Sequence, residues 1–139
     1  MASYRRLARI AVMQTLYTIE FKKPKKTPEE ILKYYIDEFA KKKIDEDYAS
    51  NLLNGIIENK PDIKKVISKN APEWPFEKIA AVDRAILEVG VFEILYVEDV
   101  PEIVAIDEAI EIAKKYGDNN SSKFINGVLN SVMKQKTKK

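Results

Sequence analysis

From Tyr4 to Phe21 the chain reads YRRLARIAVMQTLYTIEF, and this stretch limits the fold more than any other. At about 100° per residue, Leu7, Ala8, Ala11, Val12, Thr15 and Ile19 fall on one arc of a helix, while Ile10, Tyr17 and Phe21 fall on the opposite side. A helix apolar on both sides belongs inside a bundle, so the remaining segments have to pack around it. They offer helices to do so and no alternating strand pattern.

Lys22 to Lys26 carries Pro24, which resists a helix and predicts an exposed basic loop. Thr27-Pro28-Glu29-Glu30 then combines a capping residue, a proline at the first helical position and a glutamate three residues after the cap. The helix it starts has Ile31, Leu32, Tyr35 and Phe39 as its stripe and dissolves in Lys41 to Lys43. A third helix begins near Asp45, and Leu52, Ile56, Ile63 and Ile67 hold register across Pro61, as in a long helix kinked or broken there.

Ala71-Pro72-Glu73-Trp74-Pro75 is a hard stop, with the single tryptophan expected as a core plug at the junction. From Phe76 a further helix carries Ile79, Val82, Ile86, Val89 and Ile94, and Gly90 within it marks a close helix contact. The next carries Ile106, Ala109, Ile110, Ala113 and Tyr116 and ends at Gly117 as a left-handed cap. Asn120 or Ser121 caps a last helix with Phe124, Val128, Leu129 and Val132, followed by a frayed tail from Lys134. The expectation is an all-α protein of six or seven helices, in two small bundles over residues 1–72 and 73–139.

What the composition removes is as useful. The chain has no cysteine and no histidine, which excludes disulfides, thiolate sites, the commonest general base and the Ser-His and Cys-His nucleophile arrangements. There is no glycine-rich phosphate loop, metal-spaced ligand set or nucleophile elbow, so neither an enzyme nor a metal or other cofactor is expected. No apolar run approaches the ~18 residues needed to span a bilayer. A soluble cytoplasmic protein that makes no membrane contact follows.

Charge is sorted rather than excessive, since the net is only +2. The head carries Arg5, Arg6, Arg9 and the lysines around Pro24, whereas residues 98–118 carry seven Asp/Glu against two lysines, which can provide two surfaces for two kinds of partner. Arg5, Arg6 and Arg9 crowd the helix end where the macrodipole is already positive, at a cost of roughly 0.3–1 kcal/mol per cation. Two readings stand: the guanidiniums await an external anion, or they lay their stems over neighbouring apolar surface.

Single-stranded nucleic acid asks for cations that track phosphates and aromatic faces on which bases stack. The arginines supply the first. Tyr17 and Phe124 supply the second if their helices lie side by side, although the spacing of each also suits the core. Ser121, Ser122 and Lys123 form a second anion site at the start of the last helix, offering backbone N–H groups, hydroxyls and an ammonium.

These residues also carry a family likeness. Arg5-Arg6-Leu7-Ala8-Arg9 with Gln14, Leu16 and Tyr17, then Val82-Asp83-Arg84-Ala85-Ile86-Leu87, Val100-Pro101, IDEAIEIAKKYG from Ile106 and KFINGVLN from Lys123 occur in one order. In order and spacing the set resembles the bacterial transcription antitermination factor family NusB over nearly the whole chain.

The resemblance implies two small helical bundles set roughly at right angles, no catalysis, and binding of single-stranded boxA RNA in nascent ribosomal RNA transcripts. It implies as partners the small-subunit ribosomal protein NusE and the RNA polymerase antitermination complex, and a monomer or a homodimer. Carried over by position, Arg5, Arg6, Arg9, Gln14, Tyr17, Ser122, Lys123 and Phe124 would contact RNA, and Asp83 and Arg84 would lie on the face that meets the protein partner.

Two positions depart from the family pattern. Ile10 stands where glutamate is frequent, which leaves the arginines freer for phosphate, and Glu88 replaces a commonly basic residue on the partner face. Other classes remain open: an RNA-binding domain cut from a ribosomal RNA cytosine methyltransferase, where a NusB-like domain precedes the catalytic one, or a helical adaptor with no RNA role.

Overall fold

The computed structural model describes residues 2–39 and 43–137, with side chains over 4–39 and 43–136. Seven α-helices are found among them and no strand: α1 (Ala2–Lys22), α2 (Pro28–Asp37), α3 (Glu46–Glu58), α4 (Lys60–Asn70), α5 (Ala81–Tyr96), α6 (Glu102–Tyr116) and α7 (Ser121–Thr137), with one 3₁₀ turn, Phe76–Lys78, before α5. The expected all-α class is therefore met.

Local chemistry sets most of the boundaries. Lys23 ends α1 with a positive φ of 45°, before Pro24. Thr27 caps α2 in a reciprocal box: its hydroxyl accepts from the Glu30 N–H at 3.2 Å while its own N–H donates to Glu30 Oε1 at 3.1 Å. Asp45 caps α3 by accepting from the Tyr48 N–H at 3.0 Å. At Pro61 the long helix is broken, with Asn59 between α3 and α4. The Lys41 and Lys42 part of the expected fraying after α2 lies outside the described residues, as do Lys138 and Lys139.

α5 is the central member. It touches α1, α3, α4, α6 and α7, and every residue from Ala85 to Ile94 is buried. One continuous apolar cluster runs through the whole chain, from Ala8, Leu16, Leu52 and Ile67 to Ile86, Ile112, Leu129 and Val132. Gly90 lies against α7 as anticipated: a Cβ there would come within 2.7 Å of Leu129 Cδ1.

Five expectations are corrected. Trp74 is 53% exposed instead of plugging the core; Pro72 and Pro75 confine the linker to the outside of α4 and α5. The helix expected from Phe76 starts at Ala81, because Ile79 and Ala80 are extended while the Ile79 side chain is buried. Gly117 is extended, at φ −90° and ψ −172°, and is required because the Ser121 side chain fills the space a Cβ would take.

Phe21, placed among the packed residues of α1, is 65% exposed. The tail does not fray at Lys134: α7 continues to Thr137, and Lys136 Nζ bonds the Ile94 carbonyl at 2.6 Å and Glu102 at 3.2 Å, joining α7 to the end of α5 and the start of α6.

Candidate nucleic-acid interface

The arginine head meets carboxylates of its own chain. Arg9 is 3% exposed, and its Nε lies 2.9 and 2.8 Å from the two carboxylate oxygens of Glu93 on α5, while its Nη1 reaches Glu108 on α6 at 3.3 Å. Arg6 grips the same Glu108 through Nε at 2.9 Å and Nη2 at 2.7 Å. Arg5 pairs with Asp99 at 3.1 Å, lies 3.9 Å from Asp45 and covers the Tyr48 ring at 4.2 Å. The Tyr48 hydroxyl donates to Glu93, which completes a network among α1, α3, α5 and α6.

The basic head and the acidic later segment therefore face each other. That explains how three cations sit against the α1 dipole, and it corrects the expectation of free guanidiniums. Ile10 does deprive the arginines of a glutamate on their own helix, but Glu93 and Glu108 supply carboxylates from α5 and α6. Burial alone would raise the Glu108 carboxyl; the hydrogen bond from Arg6 and the charges of Arg6 and Arg9 outweigh it and hold Glu108 below the ordinary range. Of the three arginines, Arg6 keeps the most side chain in solvent, at 44%.

Further along α1, Gln14 and Tyr17 are half-buried. Tyr17 stacks on exposed Phe21 at 5.3 Å between ring centroids and 11° between planes. Tyr17 and Phe124 belong to helices that each pack mainly on α5, α1 and α7, with no extensive packing between the two.

The other group of sequence candidates gathers where α6 turns into α7. Asp118 orders the turn: its carboxylate accepts from the Asn120 N–H at 2.9 Å and the Ser121 hydroxyl at 3.2 Å, while its N–H donates to Ser121 Oγ at 2.9 Å. Ser121 thus lies inside α7, with Asp118 completing the helix entry. Ser122 and Phe124 are half-buried and Lys123 is exposed. Lys123 and Phe124 line an open cavity of about 480 Å³ with Trp74, Lys78 and Asp83. Among the described residues Lys78 and Lys123 have no carboxylate partner, in contrast to the arginines.

Asp83 and Arg84 are largely internal. Asp83 is 8% exposed; burial first, then the like charge of Asp118, raises its carboxyl, and the nearby Ser121 hydroxyl opposes that rise. Arg84 keeps 14% of its side chain exposed, lies 3.6 Å from Glu20 and over the Phe76 ring at 5.5 Å, and has a buried Nε without an acceptor among the described residues. Neither offers much side chain to a partner, because the start of α5 is covered by α7 and the end of α1. Glu88, the second departure, is also buried and pairs with Lys60 of α4 at 3.5 Å.

Two residues of this corner escaped the sequence reading. The sequence pattern places Trp74 in the core, and Lys78 carries no pattern of its own. The available signal was the linker itself, since an indole flanked by two prolines has little helix to pack it inward.

The NusB family model matches residues 6–134. This chain belongs to the NusB family. It is 37% identical over 132 residues to the transcription antitermination protein NusB of Clostridium novyi, covering 94% of this chain and 98% of that one. Among solved structures it is similar to T. maritima NusB, at 37% identity and a TM-score of 0.82, covering 94% of this chain and 91% of that one. A structure of the antitermination factors NusB and NusE in complex with double-stranded RNA matches at 26% identity and a TM-score of 0.85, covering 97% and 99% of the two chains. No NusB-type helix described here is long and apolar enough to cross a membrane, and the described residues hold no group of three or more His, Cys, Asp or Glu side chains placed to bind a metal ion.

Proposed function

We propose that this chain is a transcription antitermination factor that binds single-stranded RNA of the boxA type at the α6–α7 corner, together with the ribosomal protein NusE, and performs no catalysis. The observation that carries the reading is the corner itself, where two ammonium groups with no carboxylate partner among the described residues, Lys78 and Lys123, border a cavity that also presents Trp74 and Phe124. Cations for phosphate and aromatic faces for bases are the two requirements of single-strand binding. The NusB of the RNA complex occurs with both RNA and NusE, which supports the choice of partners.

The arginines take a changed part. Arg9 and Arg5 brace the scaffold, and Arg6, half in solvent and within reach of the α6 lysines Lys114 and Lys115 in a shared groove, is the member of the three that extends the positive surface. Gln14 and Tyr17 lie farther along the same helix and provide the direction in which a strand would continue.

A titration with boxA-like RNA, with and without NusE and at two salt concentrations, tests the reading. With about three phosphates engaged, the log-log slope on salt should be near −2 for a single strand. Absence of binding in both conditions, or a slope near zero, would overturn it.

A further inference from the structure

We infer that the cavity between the start of α1 and the start of α6 docks a second protein, through a basic segment in which a lysine or arginine adjoins an aliphatic residue. Tyr4, Pro101 and Val104 receive the aliphatic side chain, and Asp45 and Asp99 hold the cation. The inference does not depend on the RNA reading: this cavity lies at the start of α6 and the α6–α7 corner at its end, about 20 Å away along a helix of 15 residues.

The apolar side of the cavity is unusual for a surface. Tyr4 is 37% exposed, Val104 40% and its neighbour Ile103 58%, and Pro101 is exposed before them. Singly, such residues need no explanation. Gathered around one open cavity of about 440 Å³, they leave apolar surface in water that a partner can cover. The frame is already fixed: the Asp45 N–H donates to the Tyr4 carbonyl at 3.2 Å, tying the start of α1 to that of α3, and the buried Val100 anchors the turn before α6. A surface held in place before its partner arrives loses little freedom on binding.

The two carboxylates are engaged without being saturated. Asp45 Oδ1 accepts from the Tyr48 N–H at 3.0 Å, and its Oδ2 lies 3.9 Å from Arg5 Nε, too far for a hydrogen bond. Asp99 accepts one bond from Arg5 at 3.1 Å and keeps 68% of its side chain in solvent. A carboxylate can accept about four hydrogen bonds, so each retains room for donors from outside. An ammonium or guanidinium entering the cavity meets both of them.

Charge selects the kind of partner. Arg6 and Arg9 are matched internally by Glu93 and Glu108. Beyond them, the start of α3 and the turn into α6 carry Asp45, Glu46, Asp47, Glu98, Asp99 and Glu102 against Arg5, Lys43 and Lys136. Of these carboxylates Glu46, Asp47 and Glu98 have no cation partner among the described residues, where the excess is therefore negative. Such a surface repels the phosphates of a nucleic acid and draws a cationic chain. The acidic segment is thus not used up by the arginine head: Glu108 faces inward, whereas Glu98 and Asp99 remain exposed.

The test titrates the full chain, labelled with ¹⁵N, with two short peptides of equal charge, Gly-Lys-Lys-Leu-Lys-Lys-Leu-Gly and the same peptide with serine in place of leucine. The leucine peptide should move the amide signals of Asp45, Asp99 and Val104, and should bind about tenfold more tightly than the serine peptide, as burial of its aliphatic groups requires. Val104→Ser, a change at an exposed site, should leave the melting temperature unchanged and remove most of the difference between the two peptides. Asp99→Asn should weaken both peptides about threefold at low salt, and less in high salt.

The shift map of the parent chain locates the site without any variant. Shifts centred elsewhere, no shifts at all, or equal affinity for the two peptides would overturn the proposal, the last by reducing it to charge alone. Oligo-U that moves the same amides would make the cavity an RNA surface and overturn it as well. Sedimentation of the chain by itself completes the test: self-association that is lost in Val104→Ser would place a second copy on this face in place of a basic partner.

Discussion

Arg9 and Arg6 differ by three positions and by almost everything that decides what an arginine does. Arg9 is sealed among Glu93, Glu108 and the Tyr48 ring, so Arg9→Ala leaves the buried Glu93 carboxylate without a cation and should cost about 3–5 kcal/mol in a urea melt. Arg6, with 44% of its side chain in water, makes a pair screened by solvent, and Arg6→Ala should change stability by no more than about 1 kcal/mol.

Their common partner gives a pH signature. Folded Glu108 titrates below its unfolded value of about 4.5, so the unfolded chain takes up the proton first as pH falls. The stabilisation is complete above that value and disappears as pH drops through the folded one. Glu108→Gln should be less stable than the parent at neutral pH, and the gap between their melting temperatures should close on acidification. A gap that stays constant into acid would mean that the network owes nothing to the charge of Glu108.

None of these pairings could be read in the sequence. Arg6 and Glu108, or Arg9 and Glu93, are separated by most of the chain, and a helical period records which face a residue occupies without naming what lies opposite. The charges of both segments were visible; that they neutralise each other required the fold.

At the level of elements, the helices were legible for the reason that makes them form: an apolar stripe has to repeat near 3.6 residues to be buried along one side. The cap at Thr27, the start of a helix near Asp45 and the break at Pro61 were legible because each rests on chemistry within four residues. The start of α5 and the geometry of Gly117 were not, because in both places a tertiary contact, the burial of Ile79 or the pressure of Ser121, sets the backbone.

Glycines separate these cases by experiment. Gly90→Ala forces a methyl onto Leu129 and should cost about 1–3 kcal/mol. Gly127→Ala, in the same pair of packed helices but with nothing within 4 Å of the new carbon, should instead stabilise by about 0.5–1 kcal/mol, since alanine loses less backbone freedom in a helix. Thermal melts of the two variants should move in opposite directions.

At the scale of the whole molecule, the helices before residue 72 and those after residue 73 share one core. The linker at Pro72–Pro75 lies on the outside, but the apolar cluster does not stop there, and α5 is shared by helices from both sides of it. Calorimetry should show one transition, with no separate melting of residues 1–72. The corner site has the same dependence: Trp74 and Lys78 come from the linker side, Lys123 and Phe124 from the last helix, and only their packing on α5 brings them to one cavity. That assembly across distant parts of the chain is why family likeness located Lys123 and Phe124 while Trp74 and Lys78 went unnoticed.

Encased from Ala85 to Ile94, α5 cannot peel away from the surface as an edge helix can. Its amide protons can exchange with deuterated water only when the entire protein opens, so their rates serve as a clock for global unfolding. Any ligand that binds the folded chain should slow that clock by the full measure of its binding free energy, wherever on the surface it lands.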